Sequence, residues 1–483
     1  MNKCFWLVLF CTASLLSAAQ TTITLQQAME RAELNSPLAR QIHARWESSR
    51  WMYRSARAFL TPQLGLNGDF PGYQRRINQV VQPDGTFLFI PVQQALSSGG
   101  LSLSQQIPFT GGSISLESRL SRGDIFGDQG STFWQSNPLL ISLNQPVFRF
   151  NALKWQWRQE KLRLELAGRQ QAEQLEELRM EVIARYFDWY IARLQLSNAE
   201  QNRNINDTIY RIAKGRFGVG KIAENELLQV ELSYTNARNA VEVQQVQVQL
   251  AQQQLERFTG KLEASSIPTA PVALPAGDPD PSKARDEALS NRSDNINQAI
   301  SLEQARRNLS EAKLSRFPQA NINLSYGLNQ TGSSFDQALQ APVNSQFAGL
   351  GFSMPIFGMG SNRAAYKSAQ YAYEAAVSAN EFGVQQLEAE VIGMALQVSQ
   401  LKKSVGISAK ADTIARKRFE VAGNRYRIGT VDITNLLIAQ SEKDMAFITY
   451  MNTLRDFWMA WYRLRRLTLY DFEKSTRLYV QEP

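Results

Sequence analysis

The sequence predicts a mixed α and β membrane protein with an internal duplication. Three observations lead to this fold class: an N-terminal export signal, motifs that recur at a fixed offset, and long helical segments that alternate with short strands of period two. The 483 residues are 43% hydrophobic, so the chain is expected to fold into ordered domains. After residue 20 the sequence has no apolar run of about 18 residues, which a polytopic helical membrane protein would need.

Residues 1–19 have the features of a signal peptide. Lys3 precedes an apolar run over residues 5–16, and residues 17–19 have the small side chains that a signal peptidase recognises. We expect cleavage after Ala19 and export of the mature chain. A short buried N-terminal helix is the alternative.

The residue types of most catalytic and metal sites are scarce in the expected mature chain. Cys4 and Cys11 lie within the signal segment, and His43 is the only histidine. A histidine-based relay, a thiolate site and a multi-histidine metal site are therefore not expected. Glu176 and Glu177 lie on a strongly charged helical segment, where solvated side chains are expected instead of a glycosidase pair. We predict no enzyme activity, no metal and no cofactor.

The net charge of +8 does not indicate nucleic-acid binding. Lysine and arginine are spread along amphipathic segments, whereas a nucleic-acid surface would need a concentrated basic stripe. The excess charge is interpreted as solvated helix faces.

Two sets of motifs recur 209 residues apart. Pro146 and its next two residues match Pro355 and its next two (355 − 146 = 209), and residues 216–220 match residues 425–429 at the same offset. A constant offset predicts two helical hairpins of equal length, which duplication explains simply. A looser match aligns Pro62 with Pro318 at an offset of 256 (318 − 62), so the first half holds 47 additional residues (256 − 209).

The duplication sets the expected organisation of the chain. A first repeat covers 20–260, a proline-rich connector 261–283, a second repeat 284–472 and a C-terminal tail 473–483. Prolines fix φ and cannot donate to a ladder, so the connector is expected to be extended. The additional residues of the first repeat are expected to form an extra hairpin at about 71–136, because residues 101–107 and 114–120 alternate around a Gly-Gly turn.

Helical periodicity predicts six long helical segments. Apolar residues recur every three or four positions, as they do from Leu175 to Leu196. The predicted segments are 24–58, 152–214, 224–258, 284–315, 361–424 and 433–470. Several exceed ordinary globular helix lengths, so coiled-coil-like packing is expected.

Between the helices the period changes to two. Apolar and polar side chains alternate over 320–328, 348–354 and 139–143, and Leu64 and Leu66 indicate a weaker fourth strand. One apolar and one polar face are typical of transmembrane β-strands, with half of a soluble sheet as the alternative. So few strands cannot close a barrel, and open edges are not tolerated in lipid, so several chains would have to share it.

These motifs together resemble the outer membrane efflux protein family, the TolC-like channels of tripartite efflux and type I secretion systems, over essentially the whole mature chain. The resemblance implies a homotrimer with a shared twelve-stranded outer membrane β-barrel, four strands from each chain, and a long periplasmic α-helical coiled-coil barrel. Strand–helix junctions would lie at Pro62, Pro146, Pro318 and Pro355. The implied location is the outer membrane of a Gram-negative-type bacterium, with a periplasmic extension.

The resemblance also implies partners and contact residues. The partners are a periplasmic adaptor (membrane fusion) protein, an inner-membrane transporter and outer membrane lipid. The adaptor would dock at the two helical-hairpin turns. The contact residues would be Arg216, Phe217, Val219, Gly220 and Lys221 in the first turn, and Arg425, Tyr426, Ile428, Gly429 and Thr430 in the second.

The predicted gate departs from the family pattern. Family members often have aspartates just after the second turn, whereas this chain has Asn435 and Ile438 there and Glu226 at the corresponding place in the first half. We therefore expect closure by packing and hydrogen bonding, without a cation-binding ring of acids.

The predicted function is that of a passive exit duct, which conducts substrates from the adaptor and pump to the exterior. The alternative is a non-conducting periplasmic or surface coiled-coil scaffold, which would have no need of apolar strand faces. The extra hairpin could be an extracellular elaboration or extra barrel strands. The first is favoured because the family barrel tolerates loop growth more easily than a changed strand number.

Overall fold

A computed structural model describes most of the chain. The described residues are 22–127, 130–263, 266–269, 274–275, 277–354, 356–357, 359–428 and 430–479. The predicted signal peptide with its cleavage site after Ala19 lies outside them, as do Pro355 and Gly429.

Helices account for most of the described residues, and they confirm the predicted helical segments. They are α1 (Leu25–Asn35), α2 (Pro37–Ala58), α3 (Ala152–Gly218), α4 (Glu224–Thr259), α5 (Pro281–Asn291), α6 (Ser293–Leu314), α7 (Phe335–Leu339), α8 (Ser361–Arg427) and α9 (Ile433–Thr468). Two predicted segments are each broken once, at Ser36 and at Arg292, where the backbone is extended. Pro37 explains the first break, because proline disfavours helical geometry in the residue before it. None of the described helices has the length and apolarity needed to cross a membrane.

Helices from the two halves have equal lengths at two offsets. Helices α3 and α8 both have 67 residues, and α4 and α9 both have 36, with starting points 209 residues apart (361 − 152 and 433 − 224). Helices α1 and α5 have 11 residues and α2 and α6 have 22, with starting points 256 residues apart (281 − 25 and 293 − 37). The 47-residue difference between the offsets therefore falls among the strands.

The described residues contain ten strands, and six of them form one antiparallel sheet. The ten strands are β1 (Thr22–Ile23), β2 (Gln63–Val81), β3 (Phe87–Ile107), β4 (Gly112–Phe126), β5 (Ser131–Val147), β6 (Ile267–Pro268), β7 (Gln319–Gly332), β8 (Val343–Ser353), β9 (Tyr470–Asp471) and β10 (Thr476–Arg477). The order in the large sheet is β2-β3-β4-β5-β7-β8. Strands β1 and β6 form a small parallel pair, and β9 and β10 a small antiparallel pair.

The sheet has six strands where four per chain were expected, and the favoured interpretation of the extra hairpin as an extracellular elaboration is wrong, because its strands are part of the sheet. Strands β3 and β4 lie between β2 and β5 and pair with each other from Gln93 opposite Phe126 to Ile107 opposite Gly112. Inside the sheet, the backbone N–H and C=O groups of both strands find partners on either side. Leu101 and Leu103 also lie on the same face as the apolar residues of the neighbouring strands. Insertion of β3 and β4 into the sheet therefore continues its apolar face and its polar face.

The contacts divide the chain into two compact units. Unit 1 comprises the described residues of 1–45, 169–292 and 386–483, and unit 2 those of 46–168 and 293–385. Each unit draws on both halves of the sequence, so the units differ from the two repeats, whose boundaries stay predictions. Unit 2 contains the six-stranded sheet, and unit 1 contains the two helical-hairpin turns.

The core of unit 1 is built around aromatic residues of α3 and α9. Tyr186, Phe187, Trp189 and Phe457 are almost completely buried. The hydroxyl of Tyr186 lies 2.8 Å from the carbonyl oxygen of Ile23 and 2.7 Å from that of Thr269, next to the β1–β6 pair. The Tyr186 hydroxyl therefore joins α3 to the strand pair. Burial of this hydroxyl raises its pKa.

Glu176 is not solvated, contrary to the expectation from its charged surroundings. Its side chain is 1% exposed and contacts Arg179 and Arg465, with 3.3 Å between its Oε2 and the Nε of Arg465. Arg465 also lies 3.1 Å from Asp471. The guanidinium groups thus replace water around the carboxylate. Its neighbour Glu177 stays partly exposed beside Arg466.

Candidate functional site

One face of the six-stranded sheet carries a row of apolar side chains that stay exposed in the single chain. A row of paired residues crosses five strands, consisting of Leu64, Leu103, Leu116, Ile141 and Tyr326. Each of these side chains is at least 37% exposed. A soluble antiparallel sheet normally buries its apolar face, and a continuous exposed patch of this size indicates contact with lipid or with another protein.

The opposite face is polar. The next row across the same strands consists of Gln63, Ser104, Ser115, Ser142 and Ser325. A cavity on this side is lined mainly by polar residues, among them Ser115, Ser142, Asn144, Asn323 and Ser325. A sheet with one apolar and one polar face can separate lipid from water.

Three of the four predicted junction prolines lie at the end of the sheet that joins the helices. Pro62 directly precedes β2, Pro318 directly precedes β7, and Pro146 is the next-to-last residue of β5. Just after β5, Phe148 has a φ of 57°, a left-handed conformation that is unusual for a bulky residue. The chain therefore turns sharply between β5 and α3.

The two helical-hairpin turns in unit 1 have the same hydrogen-bond closure. The first turn covers 216–221 and the second 425–430. The amide of Lys221 donates to the carbonyl of Arg216 at 2.9 Å, and the amide of Thr430 donates to that of Arg425 at 3.0 Å. Bonds spanning six residues in this way satisfy the last carbonyls of a helix. Gly220 makes the first turn possible, because its φ of 69° is strained for other residues.

A hydrophobic cluster joins the two turns. Its buried members are Ile209, Ala213, Val230, Tyr426, Ile433 and Leu436. The guanidinium of Arg216 lies 5.6 Å from the centre of the Tyr426 ring, in cation–π range. Burial raises the pKa of the Tyr426 hydroxyl, against the lowering effect of Arg216.

Equivalent positions of the two turns have different surroundings. Phe217 is 41% exposed, whereas Tyr426, which follows it by 209 residues, is 3% exposed. Tyr426 was predicted to contact the adaptor, but its ring packs inside the cluster and leaves little surface for a partner.

The remaining predicted contact residues form a surface around the turns. Val219 is 69% exposed and Ile428 is 74% exposed. Arg216 is half-buried, and the exposed polar or small residues are Gly220, Lys221, Arg425 and Thr430. Gly429 is outside the described residues. Exposed apolar groups with basic neighbours make these turns a candidate protein-docking surface.

The gate candidates lie within the first two turns of the helices that follow. Asn435 and Ile438 are exposed on α9, one turn apart, and Glu226 is half-buried on α4. Asp432 caps α9 by accepting from the amide of Asn435 at 3.0 Å and from its side-chain Nδ2 at 2.7 Å. The side-chain amide of Asn435 is thus bound to Asp432, the N-cap residue of its own helix.

A polar contact between α3 and α9 was not foreseen from the sequence. The Asp444 carboxylate accepts from the side-chain amides of Asn198 at 2.6 Å and Asn202 at 3.0 Å. Lys443 adds a charge at 3.2 Å from Asp444. Two asparagines four residues apart mark one helix face, but nothing in the sequence pairs that face with Asp444.

His43 is exposed, and the described residues contain no group of three or more His, Cys, Asp or Glu side chains suited to a metal ion.

Comparison with solved structures identifies the fold. A membrane protein from Pseudomonas aeruginosa aligns with a TM-score of 0.67 at 17% identity, over 95% of this chain and 92% of that one. The Campylobacter jejuni CmeC outer membrane channel aligns with a TM-score of 0.66 at 14% identity, over 92% and 85%. The open state of the Neisseria gonorrhoeae MtrE outer membrane channel aligns with a TM-score of 0.60 at 16% identity, over 92% and 88%.

Comparison of the sequence itself identifies the family. No curated protein sequence matches. The profile of the outer membrane efflux protein family, however, matches residues 28–261 and 284–468, most of the chain. This match agrees with the fold and with the two faces of the sheet. The chain therefore belongs to the outer membrane efflux protein family, and it is an outer membrane exit duct of an efflux system.

Proposed function

We propose that the chain works as a homotrimer that conducts substrates passively through a water-filled path. The observation that carries this proposal is the exposed apolar row that crosses five strands of the sheet, with a polar row on the opposite face. The apolar face would contact outer membrane lipid and the polar face would line the path. Within the described part of the chain both edge strands of the sheet lack a second partner, so closure requires further copies.

The remaining parts of the proposal concern maturation, partners and ancestry. The signal peptide would be removed after Ala19, and the mature chain would lie in the outer membrane of a Gram-negative-type bacterium with a periplasmic extension. A periplasmic adaptor would dock on the exposed apolar groups of the hairpin turns, Val219 and Ile428, and an inner-membrane transporter would supply the energy. Equal helix lengths at constant offsets support descent of the two halves from one duplicated ancestor. The duct itself would catalyse no reaction.

A coiled-coil scaffold that conducts nothing is the weaker alternative. It would account for the long helices, but not for large hydrophobic side chains exposed along six strands. Such a face would promote aggregation in a water-soluble scaffold.

Conductance in planar bilayers, combined with the oligomeric mass of the same detergent-extracted sample, tests this function. We expect a membrane-extracted trimer that produces discrete channels. A protein that is recovered without detergent and produces no current would refute the duct and favour the scaffold.

A further inference from the structure

We propose that three copies of this chain close an eighteen-stranded barrel, in which β8 of each chain pairs with β2 of the next. The strand number follows from six strands per chain in three copies. This inference rests on the proposed trimeric duct and concerns the surface through which its subunits join.

The two edge strands are the available joining surfaces. Within the described residues, β2 pairs only with β3, and β8 pairs only with β7. Most residues of these two strands are exposed on both faces, whereas β4 and β5 are mostly half-buried. In lipid, each unpaired backbone N–H or C=O group costs several kcal/mol, so these edges need a partner strand.

The even number of strands makes a second copy a suitable partner. Neighbouring strands alternate in direction across the sheet, so β2 and β8 run in opposite directions. Copies related by rotation about a common axis keep their strand directions. Strand β8 of one copy would therefore meet β2 of the next in antiparallel orientation, as at every other joint of the sheet.

The side-chain alternation also matches across the joint. In β2, Leu64 and Leu66 lie on the apolar face, and in β8, Leu350 and Phe352 lie on the same face. All four are exposed in the single chain. Pairing that keeps these residues on one side continues the apolar face without interruption, because a one-residue shift would reverse it.

A twelve-stranded barrel would have to exclude two strands of each chain. Excluding the β3–β4 hairpin would break its ladders with β2 and β5, and excluding the β2–β3 hairpin would break the ladder between β3 and β4. Either change would leave two strands with unpaired backbone groups. Because barrel diameter grows roughly linearly with strand number, eighteen strands make an opening about 1.5 times as wide as twelve.

Cysteine cross-linking in the full chain can distinguish these arrangements. Both natural cysteines lie in the expected signal peptide, so introduced ones would be unique in the mature protein. Ser345 in β8 lies on the polar face. In the test variants, Ser345→Cys is combined with Gln63→Cys, Gly65→Cys or Asn67→Cys in β2. In the matched variants, which probe pairing of β8 with β4, Ser345→Cys is combined with Ser115→Cys or Glu117→Cys. Outer membrane fractions are treated with a short thiol cross-linker and separated by mass under denaturing conditions.

Pairs within one chain test the ladders themselves. Gln63→Cys with Ser104→Cys, and Ser115→Cys with Ser142→Cys, join neighbouring strands. Gln63→Cys with Ser142→Cys joins strands three positions apart, roughly 14 Å at about 4.8 Å per strand. The first two pairs should cross-link at least tenfold more than the third.

The expected result is a β8–β2 ladder of monomer, dimer and trimer that ends at the trimer. Cross-linking of β8 to β4, or of Gln63→Cys to Ser142→Cys, in a conducting trimer would overturn the eighteen-stranded barrel and leave the duct intact. A conducting trimer with no β8–β2 product at any position would also overturn it. Absence of trimers and current from the unsubstituted chain would refute the proposed function instead.

Discussion

Gly220 and Glu176 are single residues whose roles have different physical causes. Gly220 has open space around the position of a Cβ atom, so only its left-handed backbone selects glycine there. Glu176 has an ordinary helical backbone, so only its two arginine partners permit a buried carboxylate. Conformation is decisive in the first case and electrostatics in the second.

Replacing Gly220 by alanine should destabilise the first turn by about 1 kcal/mol, because an L-residue is strained at positive φ. Gly218 is the matched control: it also has open space around its Cβ position, but it ends α3 with an ordinary φ. Gly218→Ala should be neutral or slightly stabilising. Apparent melting temperatures of the two variants, at one protein concentration, compare them. Equal losses would refute the conformational explanation.

Replacing Glu176 by glutamine should lower the free energy of unfolding by about 3 kcal/mol, because Arg465 and Arg179 lose their shared buried counter-charge. The adjacent Glu177→Gln removes an equal charge from a partly exposed pair with Arg466, where about 1 kcal/mol or less is expected. Thermal unfolding in detergent measures both. A Glu177→Gln variant at least as unstable as Glu176→Gln would contradict the assignment.

The two hairpin turns are elements of equal length and closure that differ in what they expose. Phe217 faces outward and Tyr426 inward, although both hold the same place in their turns. Two turns with the same closure thus provide one buried anchor and one exposed ring. The exposed apolar side chains that remain, Val219 and Ile428, are not needed for the cluster and are available to a partner.

Val219→Asp should weaken adaptor binding by at least tenfold, because a charge would be desolvated in an apolar contact. Asn225→Asp adds the same charge to an exposed site at the start of α4 and should leave binding within about twofold, since acids are tolerated at a helix N-terminus. Pull-down of a purified periplasmic adaptor on the detergent-extracted duct, with trimer mass and conductance as controls, measures the difference. Unchanged binding of Val219→Asp would remove this surface from the interface.

For the whole molecule, the gate depends on which side chains three copies bring together. Asn435 and Ile438 carry no charge, so we expect millimolar divalent cations to leave the single-channel current unchanged. Ile438→Asp would place one exposed carboxylate per chain near the proposed pore and make the current fall several-fold with divalent cations. Ile438→Asn is the control, because asparagine has the shape of aspartate but no charge. A natural current that collapses with such cations would contradict closure without an acidic ring.

The sequence alone determined the local structure of this protein. Helical periodicity, constant motif offsets and period-two alternation are properties of neighbouring residues, so they predicted the long helices and the strand segments. The turn motifs at 216–220 and 425–429 likewise identified a candidate docking surface and, by resemblance, the family.

The tertiary structure decided whatever depends on residues far apart in the chain. The partner of Glu176, Arg465, is 289 residues away, and no periodicity relates the two. Phe217 and Tyr426 follow the same motif, and only packing against Ile433 and Leu436 separates the exposed ring from the buried one. The alternation of β3 and β4 is the same inside a sheet or beside it, so only the ladder hydrogen bonds assign six strands to one sheet.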